Sequence, residues 1–206
     1  MFVVYKYTDE EGIFAVKTAR MVVDEYLNNN RIIRGIKFPE KFEIKAGVFT
    51  TLNEYPSGKL RGCIGFPEPV YPLKDALIKS AIYAATEDPR FPPVVPSELM
   101  NITFEVSLLT VPEELDDVRP DNIKIGRDGL IIRYGFYSGL LLPQVAVEEN
   151  IDAERFLDLT CMKAGLSPGC WKNRNAKVYT FQAEIFREDK PGGNINRVFL
   201  DESDFR

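Results

Sequence analysis

The chain has 206 residues, of which 45% are hydrophobic and 28% are charged, and this balance excludes a disordered polypeptide. No apolar run reaches the roughly 18 residues of a membrane-spanning helix, and a net charge of −5 excludes a global attraction to nucleic acid. The chain contains no histidine, which excludes Ser-His and Cys-His catalytic dyads.

The N-terminus and the cysteines bear on the compartment. Residues 1–6 lack the basic and apolar regions of a secretory signal, so we expect a soluble protein of the cytoplasm. Cys161 and Cys170 would pair only in an oxidising compartment, so we expect free thiols. The cysteines show no CxxC spacing, and we predict neither a metal site nor a cofactor.

The first third of the chain predicts a helix followed by an irregular basic segment. Apolar residues at spacings of three and four predict an amphipathic helix over residues 10–28. Residues 31–46 contain a local excess of Lys and Arg, which we interpret as a solvated face. We therefore do not expect nucleic acid as a partner, and we expect no membrane.

A hairpin is predicted next. Residues 47–52 and 60–64 flank the segment Tyr55-Pro56-Ser57-Gly58, whose proline and glycine suit a type I turn. If this turn closes the hairpin directly, Thr50 lies opposite Cys63. A second helix is predicted from Pro72 to about residue 88, where a following proline ends it.

The rest of the chain predicts further strands and helices. Alternation predicts a strand over 102–108, short strands over 130–134 and 139–142, and a last strand over 179–185. Helices are predicted from Pro143 to 149 and from the N-cap Asp152 to a Schellman-type stop at Gly165. Because hairpins dominate, we predict one α+β domain over residues 1–206, with an antiparallel or mixed sheet flanked by helices. A smaller lobe would come from residues 31–70 or from the turn-rich middle of the chain.

The segment Leu60–Gly65 is the best candidate for chemistry. In an extended strand Arg61 and Cys63 share a face, and a nearby guanidinium favours the nucleophilic thiolate. Gly62 and Gly65 would let a ligand or another backbone approach closely. The alternative stays open that Cys63 is a small buried apolar residue and Arg61 is paired with a carboxylate.

Further candidate residues lie outside this segment. In the predicted register Thr50 joins the face of Arg61 and Cys63. Asp88 and Arg90 lie on a proline-stiffened loop that would hold a binding residue rigidly, although Arg90 would equally serve the open carbonyls of the preceding helix. Gln144 lies near a helix start, where it would bind an anionic group or act as a plain cap.

Four segments, in this order, resemble the AMMECR family over nearly the whole chain. They are Leu60-Arg61-Gly62-Cys63-Ile64-Gly65, Asp88-Pro89-Arg90-Phe91-Pro92-Pro93, Gly139-Leu140-Leu141-Leu142-Pro143-Gln144-Val145-Ala146 and Cys161-Met162-Lys163-Ala164-Gly165-Leu166 with Trp171 after it. The resemblance implies an antiparallel sheet flanked by helices, a smaller subdomain and a groove between the two. It also implies that the hexapeptide is the functional element, and that Memo-like and radical SAM proteins are associated partners in a modification pathway.

Residues and resemblance together predict an enzyme, or a ligand-handling subunit, of a modification pathway. Cys63 would be the nucleophile or redox-active atom and Arg61 its electrostatic partner. The ligand would be a small molecule, bound by Thr50, Gly62, Gly65, Asp88, Arg90 and Gln144. The alternative function is a non-catalytic module that binds a protein partner, so the sequence leaves open whether the protein is an enzyme.

Overall fold

The computed structural model describes residues 6–199. Residues 1–5, part of the segment that bears on a secretory signal, lie outside the described residues, as do residues 200–206. The described chain forms two compact units. The first contains residues 6–109 and 184–198, and the second, smaller unit contains residues 110–183 and 199.

Within residues 6–199 the structure contains four α-helices and eight β-strands. The helices are α1 Asp9–Asn29, α2 Leu73–Thr86, α3 Pro143–Glu148 and α4 Ala153–Lys163. The strands are β1 Val48–Glu54, β2 Leu60–Phe66, β3 Ile102–Leu109, β4 Glu113–Glu114, β5 Asp128–Tyr134, β6 Tyr137–Leu141, β7 Lys177–Glu188 and β8 Ile195–Val198. None of these helices is long and apolar enough to cross a bilayer.

The first unit is a sheet with helices on one face. Strand β1 lies between β2 and β3, all antiparallel, and the C-terminal part of β7 pairs with β8. Helix α1 begins with a capping box between Thr8 and Glu11, which satisfies two open backbone N–H groups. Alternate residues of β1 and β3, such as Leu52 and Phe104, are fully buried in one core with α1 and α2. Strand β2 is left at the edge of the sheet.

The second unit repeats this arrangement on a smaller scale. Strand β5 pairs with β6 and with the N-terminal part of β7, again antiparallel. Helix α4 begins at Asp152, whose side chain accepts the N–H of Arg155, and it ends in a Schellman motif in which Leu166 bonds back to Cys161. Gly165 supplies the left-handed residue of that motif, with φ +78°. Buried side chains of α4 and β5 form a separate core.

The predicted α+β class with an antiparallel sheet flanked by helices is confirmed. The smaller unit comes from the middle of the chain, since residues 31–70 belong to the first unit. Strand β8 was not predicted because Ile195–Val198 is short and follows a turn rich in Pro and Gly.

The expectation of free thiols at Cys161 and Cys170 was wrong. The two residues form a disulfide with Cα atoms 5.9 Å apart. The Schellman turn reverses the chain at Gly165, so Cys170 returns beside the last turn of α4, where Cys161 lies buried. A separation of nine residues therefore becomes close contact through the turn.

Candidate functional site

A β-bulge at Arg61 sets which side chains share a face of the hairpin. The turn is closed by the N–H of Gly58, which donates to the carbonyl of Glu54 four residues earlier, so it is not the predicted type I turn. Asn53 pairs with Leu60, but Leu52 pairs with Gly62, which leaves Arg61 unpaired. The unpaired residue shifts the pairing of β1 with β2 by one position, compared with the register of a hairpin that the turn closes directly.

The shift exchanges the roles of Thr50 and Thr51. Thr50 is fully buried on the helix side of the sheet, where its hydroxyl lies 2.8 Å from that of Ser80 on α2. The prediction that Thr50 lies opposite Cys63 was therefore wrong. Thr51 lies opposite Cys63, and its hydroxyl donates to Sγ at 3.3 Å.

The nearly buried guanidinium of Arg61 forms an ion pair with the partly exposed Glu98. Its Nε and Nη2 donate to the two carboxylate oxygens of Glu98 at 2.8 and 3.1 Å, and its Nη1 donates to the carbonyl of Pro92 at 2.9 Å. All three nitrogens are thus engaged by the segment that follows α2. The guanidinium ties this proline-rich segment to β2, as the alternative interpretation of Arg61 requires.

Asp88 and Arg90 clamp the backbone of Cys63. The buried carboxylate of Asp88 accepts the N–H of Cys63 at 2.8 Å and two donors of the Arg90 guanidinium at 3.0 and 2.7 Å. Arg90 Nη2 also donates to the carbonyl of Cys63 at 3.5 Å. These bonds hold the pKa of Asp88 well below its usual range, mainly through the guanidinium of Arg90. Because the N–H of Cys63 points to Asp88, Cys63 and Thr51 form a non-hydrogen-bonded pair, in which side chains approach closely.

The two glycines of the hexapeptide admit other parts of the chain. A Cβ added at Gly62 would lie 2.1 Å from the carbonyl oxygen of Ala84 on α2. One added at Gly65 would lie 2.2 Å from the ring of Phe49. We predicted that these glycines admit either a ligand or another part of the chain. The structure shows protein groups in close approach at both positions.

The thiol of Cys63 is half-buried and favours its neutral form. Burial raises the pKa of the Cys63 thiol, while the hydrogen bond from Thr51 and the charge of Arg90 act in the opposite direction. The negative charges of Glu105 and Asp88 raise it further. The predicted lowering of this pKa by Arg61 is contradicted, and Arg90 is the cation that acts on the sulfur.

Two neighbouring residues were missed by the sequence reasoning. Glu105 on β3 lies opposite Thr51, and Arg187 on β7 donates from Nε to the carboxylate of Glu105 at 2.5 Å. The alternation of β3 already placed Glu105 on the face away from the apolar residues. No pattern in the sequence pairs β7 with β3, so Arg187 could not have been found.

Gln144 lies in the second unit, on the first turn of α3. Its Oε1 is buried and is the single buried side-chain oxygen or nitrogen without a hydrogen-bond partner among residues 6–199. Its predicted binding role stays a prediction. In the same range, no cluster of three or more cysteine and carboxylate side chains is arranged to hold a metal ion.

The chain is similar in sequence to other proteins and to one family model. The AMMECR1 family model matches residues 16–186, and the chain belongs to this family. Protein MJ0810 of Methanocaldococcus jannaschii is 52% identical over 192 residues, covering 91% of this chain and 95% of that protein.

A solved relative shares the fold. The crystal structure of the uncharacterized protein PH0010 from Pyrococcus horikoshii superimposes with a TM-score of 0.84 at 53% sequence identity. The match covers 95% of this chain and 100% of that one. A protein of Thermococcus gammatolerans is 55% identical over 201 residues, covering 94% of this chain and 98% of its own.

Proposed function

We propose that this AMMECR1-family protein is a ligand-handling subunit of a modification pathway, and that the ligand contacts the thiol of Cys63. The proposal rests on one observation. The half-buried Cys63 is held on both sides of its backbone by Asp88 and Arg90 and on its sulfur by Thr51. Such fixation of one residue, through both of its backbone groups and its sulfur, is typical of a site whose geometry matters.

A neutral thiol suits binding better than nucleophilic attack. The thiolate is the reactive form of cysteine, and burial disfavours it at Cys63. Arg61, which we expected to stabilise a thiolate, is bound to Glu98 and Pro92. In this proposal Arg61 is a positioning residue that holds the segment bearing Asp88 and Arg90 against β2.

Protection of Cys63 from alkylation tests the proposal. Cys63 is the free cysteine, so iodoacetamide reports on this thiol in the native protein. We expect a low-molecular-mass fraction of cell extract to slow alkylation of native Cys63 and to leave the rate in the urea-unfolded chain unchanged. Thr51→Val serves as a matched variant that keeps the side-chain size, and it should weaken the protection. Failure of every fraction to slow the native reaction would reject a ligand site at this thiol.

An interaction module is the second candidate function, favoured by aromatic residues beside β2. Phe66 makes edge contacts with Tyr71, and it lies 6.3 Å from Tyr83 between ring centroids. Both tyrosines are exposed, which is typical of protein-binding surfaces. Under this alternative, Tyr71→Ala would abolish co-purification of a Memo-like or radical SAM partner while Cys63→Ser would preserve it. Co-purification that survives Tyr71→Ala would contradict this alternative.

A further inference from the structure

A polar row crosses four neighbouring strands of the first unit on the face away from the helices. Cys63 of β2 lies opposite Thr51 of β1, and Thr51 lies opposite Glu105 of β3. Arg187 of β7 continues the row through its bond to Glu105. Directly opposite residues of neighbouring strands point to the same face, so these four side chains share one surface.

The row ends in a guanidinium on both sides. Arg90 lies at the Cys63 end, where it bonds the carbonyl of Cys63, and its side chain is 54% exposed. Arg187 lies at the other end with a side chain that is 49% exposed. Within residues 6–199 the Nη1 group of Arg90 and both Nη groups of Arg187 have no protein acceptor. These N–H groups are free to bind a ligand.

The carboxylates of the same surface are withdrawn from solvent. The side chain of Asp88 is 3% exposed and that of Glu105 is 11% exposed. Each is already bonded to the guanidinium beside it. Although the four charges sum to zero, the positive groups are outermost, so the surface attracts anions and offers little to cations.

We infer that the ligand carries two anionic groups, one for each guanidinium, and lies across the strands with its middle on Cys63 and Thr51. This inference rests on the proposed ligand site and specifies its chemistry. Arg90 bonds the outward-facing carbonyl of Cys63 beyond the edge of β2, and Arg187 lies three strand spacings from β2, so the two guanidinium groups are roughly 15 Å apart and the anionic groups lie between them. Arg90 and Arg187 are binding residues in this arrangement.

Alkylation with a charged and a neutral reagent tests the attraction. Iodoacetate is anionic and iodoacetamide is neutral, and the ratio of their rates at Cys63 cancels the thiolate fraction. We expect this ratio to be about twofold higher in the native protein than in the urea-unfolded chain at low salt, from the Arg90 guanidinium within about 8 Å of the sulfur. Arg90→Gln should lower the ratio towards the unfolded value, Arg187→Gln should lower it by a smaller factor, and Arg187→Lys should restore that smaller part. A native ratio equal to the unfolded one, or one that both Arg187→Gln and Arg90→Gln leave unchanged, overturns the inference.

Dicarboxylates of two lengths test the spacing. Sebacate is long enough to approach both guanidinium groups, whereas succinate and the monomethyl ester of sebacate engage one. We expect sebacate to protect Cys63 from iodoacetamide at lower concentration than either control, and equal protection by all three contradicts two anionic ends. If extract protects Cys63 but the protecting fraction is not retained by an anion exchanger, the ligand site stands and the anionic ligand fails.

Discussion

At the scale of single residues, neighbouring residues of the hexapeptide Leu60–Gly65 have different structural roles. Arg61 binds the segment after α2, Gly62 admits the carbonyl of Ala84, and Cys63 presents its sulfur to the opposite face. Gly65 lies under the ring of Phe49. Three of the six residues thus have structural reasons for their identity, and Cys63 is the one whose side chain is left available to a ligand.

The two glycines differ in what opposes a larger side chain. A methyl at Gly62 would meet a helix backbone, which cannot yield, while a methyl at Gly65 would meet a ring that can rotate. We expect Gly62→Ala to lower the free energy of unfolding by about 3 kcal/mol and Gly65→Ala by about 1 kcal/mol. Urea unfolding measures both, and equal losses would contradict the assigned contact with Ala84.

The residues of the site were partly predictable. Alternation along β2 correctly separated Cys63 from Ile64, but the same rule applied across the hairpin selected Thr50 in place of Thr51. One unpaired residue at Arg61 caused the error, because a shift of one position moves every side chain to the other face. Gly62, next to the unpaired residue, is compatible with a bulge and equally with a close approach of another backbone, so the sequence did not decide between the two.

At the scale of elements, the segment after α2 protects the open edge of the sheet. Strand β2 ends the sheet, and an edge strand exposes N–H and C=O groups that invite pairing with other chains. Asp88 accepts a hydrogen bond from the backbone N–H of Cys63, and Arg90 donates one to its carbonyl. The sequence predicted a proline-stiffened loop that holds a binding residue rigidly. In the structure this loop binds the backbone of Cys63, a target that depends on the sheet order.

The clamp should give the protein a defined acid sensitivity. The pKa of Asp88 is lowered by folding, so its contribution is complete above the unfolded pKa of about 3.9 and is lost as the pH falls towards the folded value. We expect Asp88→Asn to cost about 2 kcal/mol at pH 7 and to flatten the loss of stability below pH 4. Urea unfolding across the acid range measures this.

Glu87 provides the control for the acid prediction. It is exposed and adjacent to Asp88 in the chain. Glu87→Gln should keep the wild-type loss of stability below pH 4. If Asp88→Asn shows the same acid profile as Glu87→Gln, the clamp does not stabilise the fold.

At the scale of the whole molecule, each unit has its own apolar core and one further stabilising interaction. The first unit is held by a large apolar core and by the clamp on β2, while the second has a smaller core and a disulfide. Small cores supply less stability, and cross-links compensate for this. The α+β class was predictable because alternation and helical periodicity are local, whereas the disulfide depended on a chain reversal after α4.

Reduction of the disulfide should loosen the second unit. Closing a loop of this size stabilises by about 2 to 3 kcal/mol in the chain-entropy account. We expect dithiothreitol to lower the stability of the second unit by this amount, reported by the fluorescence of the buried Trp171. Cys63→Ser should respond to the reductant as the wild type does, and Cys170→Ser should not respond. A wild type that is unaffected by reduction would contradict this role.

The measurement that tests the central claim most directly is the dependence of the iodoacetamide rate at Cys63 on pH. The environment of Cys63 predicts an apparent pKa above that of the same thiol in the urea-unfolded chain, because burial outweighs Thr51 and Arg90. Arg90→Gln should raise it further, and Arg61→Gln should leave it in place. A native pKa below the unfolded one, or one that moves with Arg61 and not with Arg90, would show a stabilised thiolate and contradict the account.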